Sequence, residues 1–378
     1  MAAEGTLKQQ HILVIGGGIG GLTAAIALRR DGHAVDVIER DPSWTVYGVG
    51  IIQQGNVVRA MKQLDLLDDY LGAAFGYDHV EVFIPTGQRV ARIPTPTLVE
   101  GYPANVGIGR PALHKVLGDR TIAAGATVRL GVTAEVLDDD GDGVTATFSD
   151  GTTGRYDMVV GADGLYSATR AQILPDAPGP EYTGQAVWRH NFARSEDVTG
   201  LCAYEGPIGL GLVPLSDEAM YIFVTTPEPD NPWRERKGLA KAMRETLARV
   251  PAPAIRTLAE QIIDDEAVVY KPLEWLFLTG DWHRGRIVLI GDAVHATTPH
   301  LGQGAGMAIE DSIVLAEEIA AADTPEAAFN AFRERRYDRC RYIVDSSLAI
   351  CLGQLGKGPM IENATATRAM FTKVAEPI

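Results

Sequence analysis

Residues 291–311 read GDAVHATTPHLGQGAGMAIED and gather Asp292, His295, His300, Glu310 and Asp311 around a run of glycines, with no Lys or Arg among them. Carboxylates and imidazoles at that density beside so many glycines raise the question of a metal site, a phosphate loop or something else. Metal ligation fits poorly. His295 and His300 are five residues apart across Thr297, Thr298 and Pro299, so they do not share a helical face, and no HExxH-type partner accompanies them. No metal is expected. Anion recognition without basic side chains must rest on backbone N–H groups, and the turn from Pro299 through Gly302, Gln303, Gly304 and Ala305 supplies them where a helix begins. Glu310 and Asp311 fall inside that helix and read as structural.

A second constellation lies near the N-terminus. HILVI (11–15) is an apolar run of strand length, GGGIGGLTAAIALRRDGH continues at helical spacing to Gly32, and AVDVIER (34–40) is a second strand closing on Glu39. The turn of this strand–helix–strand unit carries Gly16-x-Gly18-x-x-Gly21, with Gly20 inside it. Gly16 permits the tight turn, Gly18 lets a pyrophosphate approach the backbone, and Gly21 lets the helix pack on the strand. Glu39, eighteen residues after Gly21, is placed to accept hydrogen bonds from a ribose diol and would repel a 2′-phosphate; Arg40 follows it. This combination points to a dinucleotide.

The remaining elements follow from periodicity. A loop through Gly50 leads into a helix from about Asn56. Strands are expected near 80–84 and 88–93, then a strand, a helix from Pro111 and another strand. The segment DDDGDG imitates the start of a calcium loop, but its twelfth position is Ser149 rather than Glu, so a hairpin turn is the simpler reading. YDMVVGADGLYSATR adds a buried strand, a turn and a short helix. From about 180 to 275 the pattern changes to longer alternating strands (QAVWRHNFAR, LGLVPL, MYIFVTT) and two helices, 234–249 and 253–263. RIVLIGDA returns to the buried-strand pattern, and helices at 304–321 and 325–352 follow.

Composition narrows the partners. With 34 basic and 49 acidic residues the net charge is −15, and no basic stripe is present, which argues against nucleic acid. The first ten residues lack a signal-peptide pattern and no apolar run reaches the roughly 18 residues of a membrane span, so a soluble, cytoplasmic protein is expected. Cys202, Cys340 and Cys351 form no CxxC pattern and suit a reducing compartment.

Three motifs in this order resemble the class A flavoprotein aromatic hydroxylases, the para-hydroxybenzoate hydroxylase family: Gly16-x-Gly18-x-x-Gly21 with Glu39, then Gly161-Ala162-Asp163-Gly164 with Ser167 and Arg170, then Gly291-Asp292 with Pro299 and Gly302-Gln303-Gly304. The resemblance implies an α/β fold: a Rossmann-type FAD-binding domain with an inserted, mainly antiparallel β-sheet substrate domain and C-terminal helices. FAD-binding segments are expected at 1–75, 106–178 and 279–378, with substrate-domain segments at 76–105 and 179–278. It further implies that Asp163 lies near the flavin and a pyridine-nucleotide path, that Asp292 binds ribose or ribityl hydroxyls, and that Arg110 meets the ribityl or phosphate region. One departure is GVGIIQQGN (48–56), where Gln54-Gly55-Asn56 stands for the usual Gly-Pro-Asn.

The implied chemistry is monooxygenation. NADH or NADPH, bound transiently, reduces the flavin, and dioxygen then forms a flavin C4a-hydroperoxide that attacks a small phenolic or N-heteroaromatic ring. The glycine-rich helix start at 302–306 can stabilise charge on the reduced flavin, which a neutral Gln303 suits. Ring activation calls for a base or an anion partner on the inserted sheet or the loop, and the candidates are His190, Tyr221 and His300, with Arg189, Tyr204 and Pro299 lining the substrate. On one strand Trp188 and His190 share a face and Arg189 takes the other. A non-oxygenating FAD-dependent reductase or dehydrogenase of the same fold is the alternative. A short substrate domain argues against a lipid substrate, and a monomer or homodimer is expected.

Overall fold

Ile12, Leu13 and Val14 have no exposed surface, as expected of a strand covered on both faces. In the computed structural model, which describes residues 7, 9–46, 48–206 and 208–378, their strand His11–Ile15 lies inside a six-stranded sheet. Most of the segment read above for a targeting signal lies outside the described residues. The sheet order is His283–Arg284, Ile287–Leu289, Met158–Gly161, His11–Ile15, Ala34–Glu39 and Thr127–Leu130. All neighbours are parallel except the first pair. The helix Ile19–Arg30 packs against Gly304–Ala321, so the first and last glycine-rich turns meet at one end of the sheet. The acidic segment at 138–143 is a hairpin turn between Ala134–Asp139 and Val144–Phe148.

The inserted sheet has seven strands, ordered Val269–Trp275, Glu181–Ala193, Ala219–Pro227, Leu210–Pro214, Leu201–Tyr204, His79–Phe83 and Arg89–Pro94. It is antiparallel except where Leu201–Tyr204 pairs with His79–Phe83. The alternation of its strands separates two faces. One carries Trp188, Phe192, Cys202, Leu212, Ile222 and Val224 and is covered by the helices Leu239–Leu247 and Pro253–Glu260, whose Met243, Leu247 and Ile255 complete a second core. Burying such side chains stabilises by roughly 1.5–3 kcal/mol each. The other face carries Val187, Arg189, Tyr221, Phe223, Leu201, Ala203, Val80 and Val82 and looks towards the first domain.

A three-stranded sheet, Gly50–Gln54, Asn105–Gly109 and Ala74–Tyr77, joins the two halves. Its first strand replaces the expected loop before the helix Gly55–Gln63. The strand Val269–Trp275 and the helix Asn363–Ala375 are also additions to the sequence reading. The helix expected from 234 starts only at Leu239, after Gly238 in a left-handed conformation. Among the described residues no helix is long and apolar enough to cross a membrane.

Candidate active site

The three fingerprint glycines have distinct reasons to be glycine. Gly16 has φ 110°, and a Cβ there would lie 2.4 Å from the carbonyl oxygen of Ala162. At Gly21 a Cβ would lie 1.9 Å from the carbonyl oxygen of Gly16, whereas at Gly18 it would meet nothing within 4 Å. The fold itself therefore requires the first and third. Gly18 instead keeps a space open at the N-terminus of Ile19–Arg30, where no side chain caps the helix and no acid occupies its first turn. A pyrophosphate fits both the space and its polarity. Gly20, Glu39 and Arg40 border the same opening. Glu39 Oε2 accepts from Gly17 N–H and Oε1 from Asp41 N–H, both at 2.8 Å, which fixes the carboxylate at the end of its strand.

Asp292 follows Gly291, which takes φ 60°. Its carboxyl is exposed by area, but the surface it faces is the cavity, and the crowding protein raises its pKa against the opposing charges of His295 and Arg110. Beneath it lies a buried ionic cluster. Asp311 accepts from Gly291 N–H at 2.9 Å, His295 Nε2 at 2.7 Å and Arg336 Nε at 2.8 Å, while Arg336 Nη1 pairs with Glu310 Oε2 at 2.9 Å. His295, Asp311 and Cys340 are close enough together to hold an ion, but the Arg336 guanidinium already meets that negative charge. Asp163 does not face the cavity. It accepts from Ser167 Oγ at 2.5 Å and from Thr169 N–H at 2.9 Å, so it fixes the start of the helix Ala168–Ile173, and its neighbours Ala162, Gly164 and Leu165 line the cavity instead. Arg170, buried, donates to the carbonyls of Leu165 and Ala293, both at 2.9 Å, and so ties the two loops together.

The 299–305 turn is held from behind. Gln303 is turned into the core rather than the cavity: its Nε2 donates to Gln54 Oε1 at 2.7 Å and its Oε1 accepts from Asn56 Nδ2 at 3.0 Å. Gln54 Nε2 in turn donates to Leu301 O at 3.0 Å. The two residues flanking the missing proline thus hold the turn with side-chain hydrogen bonds. Pro299, Gly302, Gly304 and Ala305 present their surfaces to the cavity. His300 also lines it, with Nδ1 3.0 Å from Thr298 Oγ1 and Nε2 3.2 Å from Gln354 Oε1; burial pushes its pKa down to about 4, so the ring is neutral near neutral pH.

On the inserted sheet the structure separates the candidates. Arg189 and Tyr221 face the cavity, and Tyr204 reaches its lining while stacking on Phe83 at 5.0 Å. His190 does not face it: the strand alternation puts its ring in the second core, 4.6 Å from Phe192, which removes it as a ring-activating base. Burial, then the charge of Arg110, pushes the Arg189 guanidinium down to about 10, which leaves it cationic, and no hydrogen bond or ion pair joins it to any described residue. Burial raises the Tyr221 phenol, against the charges of Arg189 and Arg110. A Cβ at Gly50 would lie 2.3 Å from the Tyr221 ring, so the joining sheet presses directly on it.

A single cavity of about 1830 Å³ runs from Gly18 and Glu39, past Asp292, Pro299 and Gly302, to Arg189 and Tyr221. One drug-sized ligand needs roughly 300–1,000 Å³, so this space has room for a dinucleotide and a second molecule. The FAD binding domain family matches residues 9–347. The chain belongs to the FAD binding domain family. It is similar to the putative FAD-dependent monooxygenase YetM of Bacillus subtilis, 30% identical over 93% of this chain and 96% of that protein. The aurachin C monooxygenase/isomerase of Stigmatella aurantiaca is 32% identical over 94% of this chain and 91% of its own. Among solved structures, Klebsiella pneumoniae HpxO complexed with FAD and uric acid superposes with a TM-score of 0.82 at 27% identity, covering 97% of this chain and 93% of that one. This member of the family is a flavoprotein monooxygenase.

The chain's own residues fit the cofactor of its FAD binding domain family. The open Gly18 position, the unpaired start of Ile19–Arg30, Asp292 facing the cavity and the helix start at Gly304 offer anion-binding and hydroxyl-binding groups along one continuous wall. Sequence reasoning missed Gln54 as a holder of the turn, because its role depends on a partner 247 residues away in sequence. No local signal marks such a contact.

Proposed function

We propose that the protein uses NADH or NADPH and dioxygen to hydroxylate an aromatic or heteroaromatic ring lying against Arg189 and Tyr221. The observation that carries this reading is the continuity of one cavity from the dinucleotide cradle to a cationic arginine on the inserted sheet that no hydrogen bond or ion pair joins to any described residue. Uric acid in the HpxO structure and the 2-methyl-3-hydroxypyridine-5-carboxylic acid after which an oxygenase is named, a mutant of which superposes with a TM-score of 0.76 at 25% identity over 96% of both chains, are acidic, nitrogen-containing rings, and they support the choice of substrate class.

Bound FAD supplies hydride acceptance and oxygen activation. The protein's part is positional. Gly18 and the first turn of Ile19–Arg30 would hold the pyrophosphate, Glu39 the adenosine ribose, and Asp292 the hydroxyls of the flavin-side chain. The N-terminus of Gly304–Ala321 would offer its dipole to negative charge on a bound flavin. Arg189 holds a phenolate, enolate or carboxylate, and its charge favours the ionised, electron-rich ring. Tyr221, with its phenol raised by burial, keeps its proton and donates a hydrogen bond.

The purified protein is expected to be yellow and to consume oxygen with NADH or NADPH faster when a hydroxylated aromatic is added. Flavin-loaded protein whose oxygen uptake no phenol, hydroxypyridine or hydroxyquinoline stimulates would overturn the reading.

A further inference from the structure

The joining sheet carries a feature that the cofactor and Arg189 do not explain. In its register Gln54 lies opposite Asn105, and Asn105 lies opposite Tyr77, so the three side chains form one row on one face. Neighbours in such a row are ~4.5–5.5 Å apart at Cβ. All three line the cavity. Gln54 is satisfied by Leu301 and Gln303, and it stands behind the turn at the flavin edge. The other two are not satisfied: among the described residues the hydroxyl of Tyr77 and Nδ2 of Asn105 have no hydrogen-bond partner, although the residues are only 3% and 2% exposed.

Buried polar groups are nearly always paired, and an orphaned one is costly, so two adjacent orphans on a cavity wall call for an explanation. Both can donate, and neither carries charge. Burial, then the neighbouring Tyr221, holds the Tyr77 phenol far above its ordinary pKa, so it keeps its proton. A neutral acceptor suits this pair better than an anion, for which Arg189 is available. We infer that Tyr77 and Asn105 form a second polar subsite, beside Gln54 on the cavity wall, that binds a neutral oxygen acceptor of the substrate, a ring carbonyl. This rests on the proposed hydroxylase reading and deepens it: the substrate is a ring bearing a carbonyl in addition to whatever group meets Arg189.

The test compares 4(1H)-quinolone with quinoline, the same fused rings without the carbonyl, titrated into the oxidised holoenzyme and followed by the flavin absorption spectrum. Wild-type protein is expected to prefer the quinolone. Tyr77→Phe and Asn105→Leu should each cut that preference about tenfold, which corresponds to ~1.4 kcal/mol, with quinoline affinity unchanged. Thermal melting without ligand gives a second readout: removing an orphaned hydroxyl in Tyr77→Phe should leave the Tm unchanged or raise it, whereas a hydroxyl paired inside the protein would lower it. An unchanged preference in both variants, no saturable response to the quinolone in wild type, or a lowered Tm in Tyr77→Phe would overturn the inference. Failure of the hydroxylase reading shows separately, as a protein without flavin or an oxygen uptake that no aromatic stimulates.

Discussion

Nε2 of His295 stands 2.7 Å from Oδ2 of Asp311, and neither side chain has any exposed surface. Burial alone would lower the imidazole pKa, but the Asp311 charge overrides it and the ring is held well above its ordinary value. Burial would raise Asp311, yet His295 and Arg336 bring it down to about 2. The pair therefore stays ionised across neutral pH directly under the Gly291-Asp292 turn.

The pH dependence follows from these directions. Asp311, depressed in the fold, contributes stability that is present above its unfolded pKa of about 3.9 and is lost as pH falls towards 2. His295, raised in the fold, contributes stability that is present below its unfolded pKa of about 6.5 and is lost as pH rises through the folded value. His295→Gln leaves Asp311 short of one charge partner. It should destabilise the protein by about 3 kcal/mol and flatten the alkaline decline, both read from denaturant unfolding across pH.

Gly18→Ala and Gly21→Ala should part company. The first adds a methyl to open space, so folding is retained while FAD affinity falls by an order of magnitude or more. The second forces a Cβ against the Gly16 carbonyl and should lower the yield of folded protein. Flavin content and Tm measured on both variants separate a ligand-facing glycine from a packing one. Asp292→Ala belongs with Gly18→Ala, and unchanged flavin content in it would remove Asp292 from the cofactor site.

Arg189→Met keeps much of the side chain's length and removes its charge. Charged hydrogen bonds contribute roughly 1.5–3 kcal/mol, so the Kd for anionic hydroxyaromatics should rise about 10-fold to 100-fold. Neutral rings should bind as before, which a titration of both ligand types would show.

His300, with its pKa near 4, should produce no limb in a kcat/KM profile between pH 5 and 8. Its depressed pKa does affect stability: that contribution is present above about 6.5 and is lost as pH falls towards 4. His300→Gln should remove that acid-side loss in a melt series while leaving the neutral-pH kcat/KM profile without a new transition.

Beyond Phe223 the cavity face of the inserted sheet turns apolar across Leu201, Ala203, Val80, Val82 and Ile93. From the Leu210–Pro214 strand to the Arg89–Pro94 edge this lane spans three strand spacings, about 14 Å. Alkyl groups on a substrate ring should therefore raise affinity by about fourfold per buried methylene. Ala203→Phe should abolish the dependence on chain length. A flat series in wild type would remove the lane from the substrate site.

The sequence was most legible where one residue type has one physical use. Gly16 and Gly21, which sit where a Cβ would clash, and the strands of the parallel sheet are of this kind. Which face of a strand is wet was less legible: the alternation separated His190 from Arg189, but only the helices Leu239–Leu247 and Pro253–Glu260 decide which of the two is covered. The strand Val269–Trp275 was hidden by Pro272, tolerated because the strand lies at the sheet edge. Gln303 turned inward and Asp163 capping a helix were missed for a related reason, since each finds partners that no short window of sequence displays. The Tyr77–Asn105 row needed the register of three strands distant in the chain.

The contact between Gly50 and Tyr221 bears on how such a protein can diverge. With no clearance between the backbone of one half and the ring of the other, any side chain added at Gly50 must be matched by a shift or a smaller group across the boundary. Val80, Ala203 and Ile93 on the outer strands line the cavity instead. Substitutions at the rim of the sheet therefore meet the cavity first, whereas one at Gly50 meets the Tyr221 ring.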